Sequence, residues 1–317
     1  MLRNYYILFF LFLMLASCET DITLDFPEPE TKIVVEGYIE NDLPPFISLT
    51  TTIPYYGEID FNALDSYNVN DAFIQVSDGT TSVTLMEFCL DDLPEALKPL
   101  LAELLGIAVD SLTGDYAYNA CLYTVPDILT GTPAFTGVAG KTYSLLIIAG
   151  GDTLTSSTKI PDLVPLDSVF YKPASELDPA NDSLVRLYGI ISDPPALGNY
   201  YRYFTSRNNQ GYYPDFNSVT DDLIFNGQTF EFTLNRALQP GESFDSNTYG
   251  YFWKGDTIGL RWTTIDFFSY DFWRTLESDT GSDGPFSSVT IAATNINGGL
   301  GIWCGYGTIY YQLIVPM

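Results

Sequence analysis

The feature that most constrains this chain is a rhythm of short β-prone segments, broken by Gly, Pro, Asn and Asp and carried over most of its length. Residues 32–39, 46–52, 72–76, 81–88, 142–149 and 153–160 are rich in Val, Ile, Thr and aromatics, the types that suit a pleated, half-buried surface. Ser77-Asp78-Gly79-Thr80 reads as a hairpin turn, because Asp-Gly supplies the positive φ such turns require. The spacing predicts a mostly β protein whose N-terminal part, residues 32–162, is an immunoglobulin-like β-sandwich. The rhythm resumes after Pro161 and Pro165 with segments 184–192, 200–207, 223–235, 257–264, 287–296 and 308–315, which predicts a second β-rich domain over 163–317. Two stretches break the pattern. In 92–109, Leu93, Leu97, Leu100, Leu101, Leu104 and Leu105 recur at helical spacing behind a capping arrangement of Asp92 and Glu95, so a helical insertion is expected within 91–115. In 265–276, Ile265, Phe268, Phe272 and Leu276 fall on one side of a short helix capped by Thr263 and Asp266.

Charge and residue usage narrow the chemistry. Forty Asp and Glu stand against 13 Lys and Arg, a net charge of −27 at pH 7, and there is no histidine. A surface of that sign repels phosphate backbones, so nucleic acid is excluded as a partner. Without imidazole there is no Ser-His-Asp triad, no Cys-His dyad and no His-ligated zinc. Enzyme chemistry would rest on carboxylates, Lys, Tyr or thiols, and none of these forms a recognisable catalytic motif in the sequence. No catalytic residue and no cofactor is expected.

The N-terminus carries one cation, Arg3, and then an apolar run over 5–16. A bilayer-spanning helix needs ~20 apolar residues, so this run has the length of a signal-peptide core instead. It ends in Leu15-Ala16-Ser17-Cys18, which matches the lipobox of bacterial lipoproteins at all four positions. Residues 1–17 are therefore expected to be a lipoprotein signal peptide and Cys18 the lipidated residue, held to the membrane by several acyl chains. Residues 18–31 contain Glu19, Asp21, Asp25, Glu28 and Glu30 with Pro27 and Pro29. They read as an extended acidic tether, and acids so close to Cys18 resemble the export signal of Bacteroidetes surface lipoproteins.

An oxidising compartment permits disulfides. Cys89 and Cys121 flank the helical insertion and form the expected pair; two free buried thiols are the alternative. Cys304, in the apolar Ile302-Trp303-Cys304, reads as a small buried hydrophobe. Gly298-Gly299-Leu300-Gly301 does not open a helix and lacks the spacing of a dinucleotide loop, so it reads as a site of close backbone approach. The acidic turn at 279–284 departs from a calcium loop at its third and twelfth positions, and no metal site is expected. Two loops join aromatic rings to amides: Tyr55 and Tyr56 in one, Tyr212, Tyr213 and Phe216 in the other. Rings and amides together suit peptide or carbohydrate recognition, and these five residues are the candidate ligand or partner contacts.

Several short motifs stand in a fixed order: the lipobox and acidic linker, Lys32-Ile33-Val34-Val35-Glu36-Gly37-Tyr38-Ile39, Pro54-Tyr55-Tyr56, Asp167-Ser168-Val169, Tyr200-Tyr201-Arg202, Asn226-Gly227, Gly255-Asp256 and Asn295-Ile296-Asn297-Gly298-Gly299-Leu300-Gly301. In this the chain resembles the Bacteroidetes lipoproteins called domain-of-unknown-function family 4249, over nearly all of the sequence after Cys18. The resemblance implies an outer-membrane lipoprotein often associated with TonB-dependent transporters, without an established enzymatic activity. The expectation is a surface-facing accessory that binds, presents or gates cargo. A structural or assembly lipoprotein without a small ligand, and a carboxylate-dependent hydrolase, are the alternatives.

Overall fold

In the computed structural model the residues described are 30–53, 61–107, 109, 113–174, 182–279 and 291–317. The alternation of Ile33–Glu40 (β1) sets the frame: Ile33, Val35 and Ile39 are buried on one face, and Val34, Glu36, Tyr38 and Glu40 take the other. The strands that follow are β2 (Phe46–Thr51), β3 (Phe73–Ser77), β4 (Ser82–Thr84), β5 (Met86–Cys89), β6 (Cys121–Thr124), β7 (Thr142–Ala149) and β8 (Asp152–Lys159). After the irregular segment holding Pro161 and Pro165 come β9 (Leu166–Pro173), β10 (Leu184–Ser192), β11 (Tyr200–Arg207), β12 (Tyr213–Asp221), β13 (Thr229–Leu234), β14 (Phe252–Trp253), β15 (Thr257–Ile265) and β16 (Leu300–Ile314). The helices are α1 (Lys98–Leu105) and α2 (Phe267–Asp279).

The strands form one eight-stranded sheet, in the order β12-β11-β15-β16-β1-β2-β6-β5, and two four-stranded sheets, β4-β3-β7-β8 and one in which β10 pairs with β13, β14 and β9. Both small sheets pack on the same face of the large one. The first meets Ile33, Val35, Ile39, Ile47, Leu49 and Trp303; the second meets Tyr201, Tyr203, Ile258, Leu260 and Trp262. The architecture is thus mostly β and sandwich-like. Two cores lie between the sheets: the first joins residues of the N-terminal half to Ile296 and Trp303, and the second is drawn from residues 164–315. The halves are nonetheless not closed off from each other, because β16 pairs in parallel with β1 over Leu300–Tyr306 and antiparallel with β15 over Gly307–Ile314. Residues 31–317 form one compact unit.

Two glycines in β16 make that junction possible. Gly301 has φ +98°, and a Cβ there would stand 1.9 Å from the Val35 carbonyl oxygen; only glycine has both the conformation and the space. At Gly305 a Cβ would meet the Lys159 carbonyl at 2.3 Å, where the chain leaving β8 lies directly on the strand.

Several expectations need correction. Within the insertion only Lys98–Leu105 is α-helical, preceded by a 3-10 turn at Leu90–Asp92. Its Leu101 and Ala102 are buried with Leu90, Ile107 and Leu122, while Leu100 is exposed. Pro99 lies in the first turn of this helix, where its missing N–H has no partner to lose. The segment expected as one strand over 223–235 is a turn followed by β13, because the Asp222 and Phe225 carbonyls accept the turn bonds of Phe225 and Gln228. In α2 the buried residues are Ser269 and Phe272, whereas Phe268 and Leu276 are exposed. Capping sets this rotation: the Ser269 N–H donates to Asp266 Oδ1 at 2.8 Å, and Asp266 Oδ2 also accepts Thr158 Oγ1 at 3.0 Å. The helix therefore starts at Phe267, pinned to β8.

Candidate functional site

The face of the large sheet opposite the small sheets is covered only at two places. At one, α1 and the segment before β6 cover the β1–β2 side. At the other, α2 lies over β16, β11 and β12. Between them a groove follows β1, lined by three hollows that share residues. The first, ≈ 200 Å³, holds Glu36, Ser48, Thr50, Asn68 and Tyr118. The second, ≈ 260 Å³, holds Glu36, Arg202, Tyr213, Trp273 and Tyr306. The third, ≈ 360 Å³, holds Glu40, Leu43, Tyr212, Arg261 and Tyr310. Tyr38 lines all three. From Val34 to Glu40 the strand alone gives the groove a length of ~20 Å at ~3.3 Å per residue.

Its charged groups sit inside strands whose other residues are aromatic or apolar, so each must find a partner or remain accessible to water. Arg261, on β15, donates from Nη2 to Glu40 on β1, and the other Glu40 oxygen accepts Tyr310 Oη at 2.7 Å. Its guanidinium lies over the rings of Phe204 at 4.5 Å and Tyr306 at 5.2 Å. Arg202, on β11, stacks on Trp273 of α2 at 3.5 Å from the ring centre, and donates to Ser218 Oγ at 2.9 Å and Tyr306 Oη at 3.0 Å. Glu277 of α2 stands 3.7 Å from Arg202 Nη2 and accepts the Ser218 N–H at 2.8 Å. Burial pushes the Glu277 carboxyl up, against the Ser218 bonds and Arg202, which lower it. Stacking on rings leaves each guanidinium edge free to meet these acids and hydroxyls, an arrangement Lys would not reproduce.

Glu36 behaves differently. It lines the first two hollows, and among the described residues its side chain makes neither a hydrogen bond nor an ion pair. Burial pushes its carboxyl up, and the Arg202 charge offsets only part of that. Glu36 is nonetheless solvent-exposed, so it is a candidate contact by its place in the lining of both hollows. Tyr38 and Tyr118 are likewise raised by burial, with Glu36 contributing to each.

The structure brings two of the candidate aromatic residues into this groove: Tyr213 lines the second hollow, and Tyr212 lines the second and third, edge-on to Tyr310 at 5.5 Å. Phe216 is not among them. It contacts Tyr249 at 5.6 Å and Phe244 at 6.5 Å, in an exposed cluster apart from the lining residues. Tyr55, Tyr56, Cys18 and residues 280–284 of the acidic turn lie outside the described residues. Sequence reasoning missed Glu36, Arg202, Arg261, Trp273 and Tyr306. A signal existed for the first three, since a charge within a buried strand's text demands a partner or a pocket.

Cys89 and Cys121 face each other across β5 and β6 and form a disulfide. Glu87 stands beside it, but with the sulfurs bonded to each other that trio offers one carboxylate and no metal-ligand set. Cys304 is buried beneath α2, its thiol pushed up by burial to about 11, the state of an inert thiol.

A family model described as a domain of unknown function, DUF4249, matches residues 19–308. No curated protein matches the chain.

Proposed function

The chain belongs to the family described as domain of unknown function 4249, and from that premise we propose that it is a non-enzymatic lipoprotein of the outer membrane, anchored through Cys18 and facing the cell exterior, which binds and presents cargo to a TonB-dependent transporter. The observation that carries the binding role is the groove, where Glu36 lies unpaired among aromatic rings. Tyr212 and Tyr213, placed there beside Arg261 and Arg202, make the groove suited to peptide or carbohydrate cargo. A structural lipoprotein would have no need of a groove lined by rings and charged groups. A carboxylate-dependent hydrolase needs two acids free to act together, whereas Glu40 is held by Arg261 and Tyr310. Anchoring through lipid is compatible with the fact that, among the described residues, no helix is long and apolar enough to cross a membrane. The acids at Glu19, Asp21 and Asp25 supply the export signal.

The test is co-purification from native outer membranes in mild detergent. Recovery of a TonB-dependent transporter with the wild-type protein, and its absence with a Cys18→Ala variant that no longer takes acyl label, is the expected outcome. Recovery of the lipoprotein alone would refute the transporter role, and acyl labelling that persists in Cys18→Ala would refute the anchor.

A further inference from the structure

Beside the groove lies an apolar hollow of ≈ 270 Å³ that the cargo-binding reading does not use. It shares Phe46, Leu100 and Ile128 with the third hollow of the groove. Its walls are leucines of the insertion, Leu122 and Thr124 of β6, and Leu129 of the 3-10 turn Pro126–Thr130 that follows. Leu100 and Leu129 are 58% and 57% exposed, so water meets side chains that a core would enclose. Among the described residues that line the hollow, Thr124 has the one polar side chain and none carries a charge.

Thr124 supplies an independent observation. Strand alternation puts Leu122 and Thr124 on the insertion side of β6, while Tyr123 between them enters the first core. Thr124 is 3% exposed, and its Oγ1, closed to water, has no hydrogen-bond partner among the described residues. A buried hydroxyl without a partner is costly, and native structures rarely leave one. An ordered water is a poor remedy, since it needs roughly two to four polar partners and the side chains of the walls offer one. Because no hydrogen bond holds Oγ1, a turn about χ1 to another staggered rotamer breaks none and brings the hydroxyl to the hollow.

We propose that this hollow binds one neutral aliphatic chain with a hydroxyl head, the head bonded to Thr124 and the chain lying along the leucines toward Leu100 and Leu129. A hydroxyl head both donates and accepts, as Thr124 does. The volume sets the length: ≈ 270 Å³ is about nine water-sized units at ~30 Å³ each, the size of 1-octanol. The walls exclude an ionised head, because a carboxylate would be buried without a cation, on a chain of net charge −27, and an ammonium without an acid. The site goes beyond the cargo groove, and either can fail without the other.

The experiment is titration calorimetry of 1-octanol into residues 19–317, which keep the whole compact unit 31–317, at pH 7 and without detergent, whose alkyl chains would compete. 1-Octanol is expected to bind saturably, one molecule per chain. 1-Hexanol should bind about fifteenfold more weakly, at ~0.8 kcal/mol per buried methylene, and octanoate and octylammonium at least tenfold more weakly. These comparisons use the unaltered sequence and need no variant. Thr124→Val, which keeps the shape and removes the hydroxyl, should weaken 1-octanol about fivefold, the worth of one ordinary hydrogen bond. Leu129→Asp, at an exposed wall position, should weaken it at least tenfold, whereas Ile148→Asp, at an exposed apolar position of β7 outside the lining, should change nothing; thermal melting checks that all three variants fold. No saturable binding, equal binding of 1-hexanol or octanoate and 1-octanol, no effect of Thr124→Val, or an effect of Ile148→Asp equal to that of Leu129→Asp would each overturn the inference. A ligand-free dimer in sedimentation that Leu129→Asp dissociates, with no uptake of 1-octanol, would overturn it and give the hollow to a second copy of the chain.

Discussion

At the scale of single residues, the second face of the large sheet is organised by where charges are allowed to sit. Arg202 and Arg261 are placed among rings and closed by acids from other elements, so each ion pair ties together segments far apart in sequence, Glu40 to β15 and Glu277 to β11. Removing one partner of such a pair leaves the other uncompensated, which costs more than the pair contributes. Glu36 has no such partner, and this gives it a measurable signature. Its carboxyl is raised above the ordinary 4.5 by burial. Between 4.5 and the raised value the native state therefore binds more protons than the unfolded chain, and stability falls as pH rises through that window. Glu36→Gln carries no such loss. Because Glu36 is solvent-exposed, water screens most of this effect: without ligand the variant should be at most slightly more stable than wild type in thermal melting at pH 7, and no more stable at pH 4. A variant less stable at pH 7 would mean that Glu36 is held by an interaction in the native state.

Among elements, the insertion and its disulfide form a unit. Cys89 and Cys121 bracket α1 at a separation of 32 residues, and Leu101 and Ala102 pack α1 onto Phe46 and Leu122 of the sheet. On the chain-entropy account a loop of this length contributes about 3 to 4 kcal/mol. The double variant Cys89→Ser, Cys121→Ser should lose roughly that much in denaturant unfolding, with hydrogen exchange rising first in α1 and β6. Because α1 and Tyr118 wall the smaller hollow on the side of Leu105, binding in the groove should weaken before the fold is lost. Unchanged stability would show the insertion to be held by its apolar contacts alone.

For the molecule as a whole, β16 is the common member. Its first half extends the N-terminal sheet and its second half the C-terminal one, and Trp303 is fully buried in the N-terminal core, donating from Nε1 to the Tyr143 carbonyl at 3.1 Å. Truncation before Leu300 should therefore unfold both halves: amides of β1 and β2, and of β11 and β15, should all lose protection from exchange. Persistent protection over 32–162 would show an N-terminal half that folds alone.

The sequence by itself determined the β character, most strand positions, the break at Pro161 and Pro165 and the expected pair Cys89 and Cys121, because these follow from side-chain type and local spacing. Residues 142–149, 184–192 and 200–207 coincide with observed strands. Strand order was decided only in three dimensions. Nothing local in Leu300–Ile314 says that it lies between β1 and β15, a pairing that depends on Gly301 meeting Val35 more than 260 positions away. The groove was illegible for the same reason. Glu36, Arg202, Arg261 and Trp273 come from β1, β11, β15 and α2, and period-2 alternation assigns each a face without saying which charges that face will bring together. Tertiary packing paired the two arginines and left Glu36 open, since pairing depends on distances across the sheet that no spacing along the chain encodes.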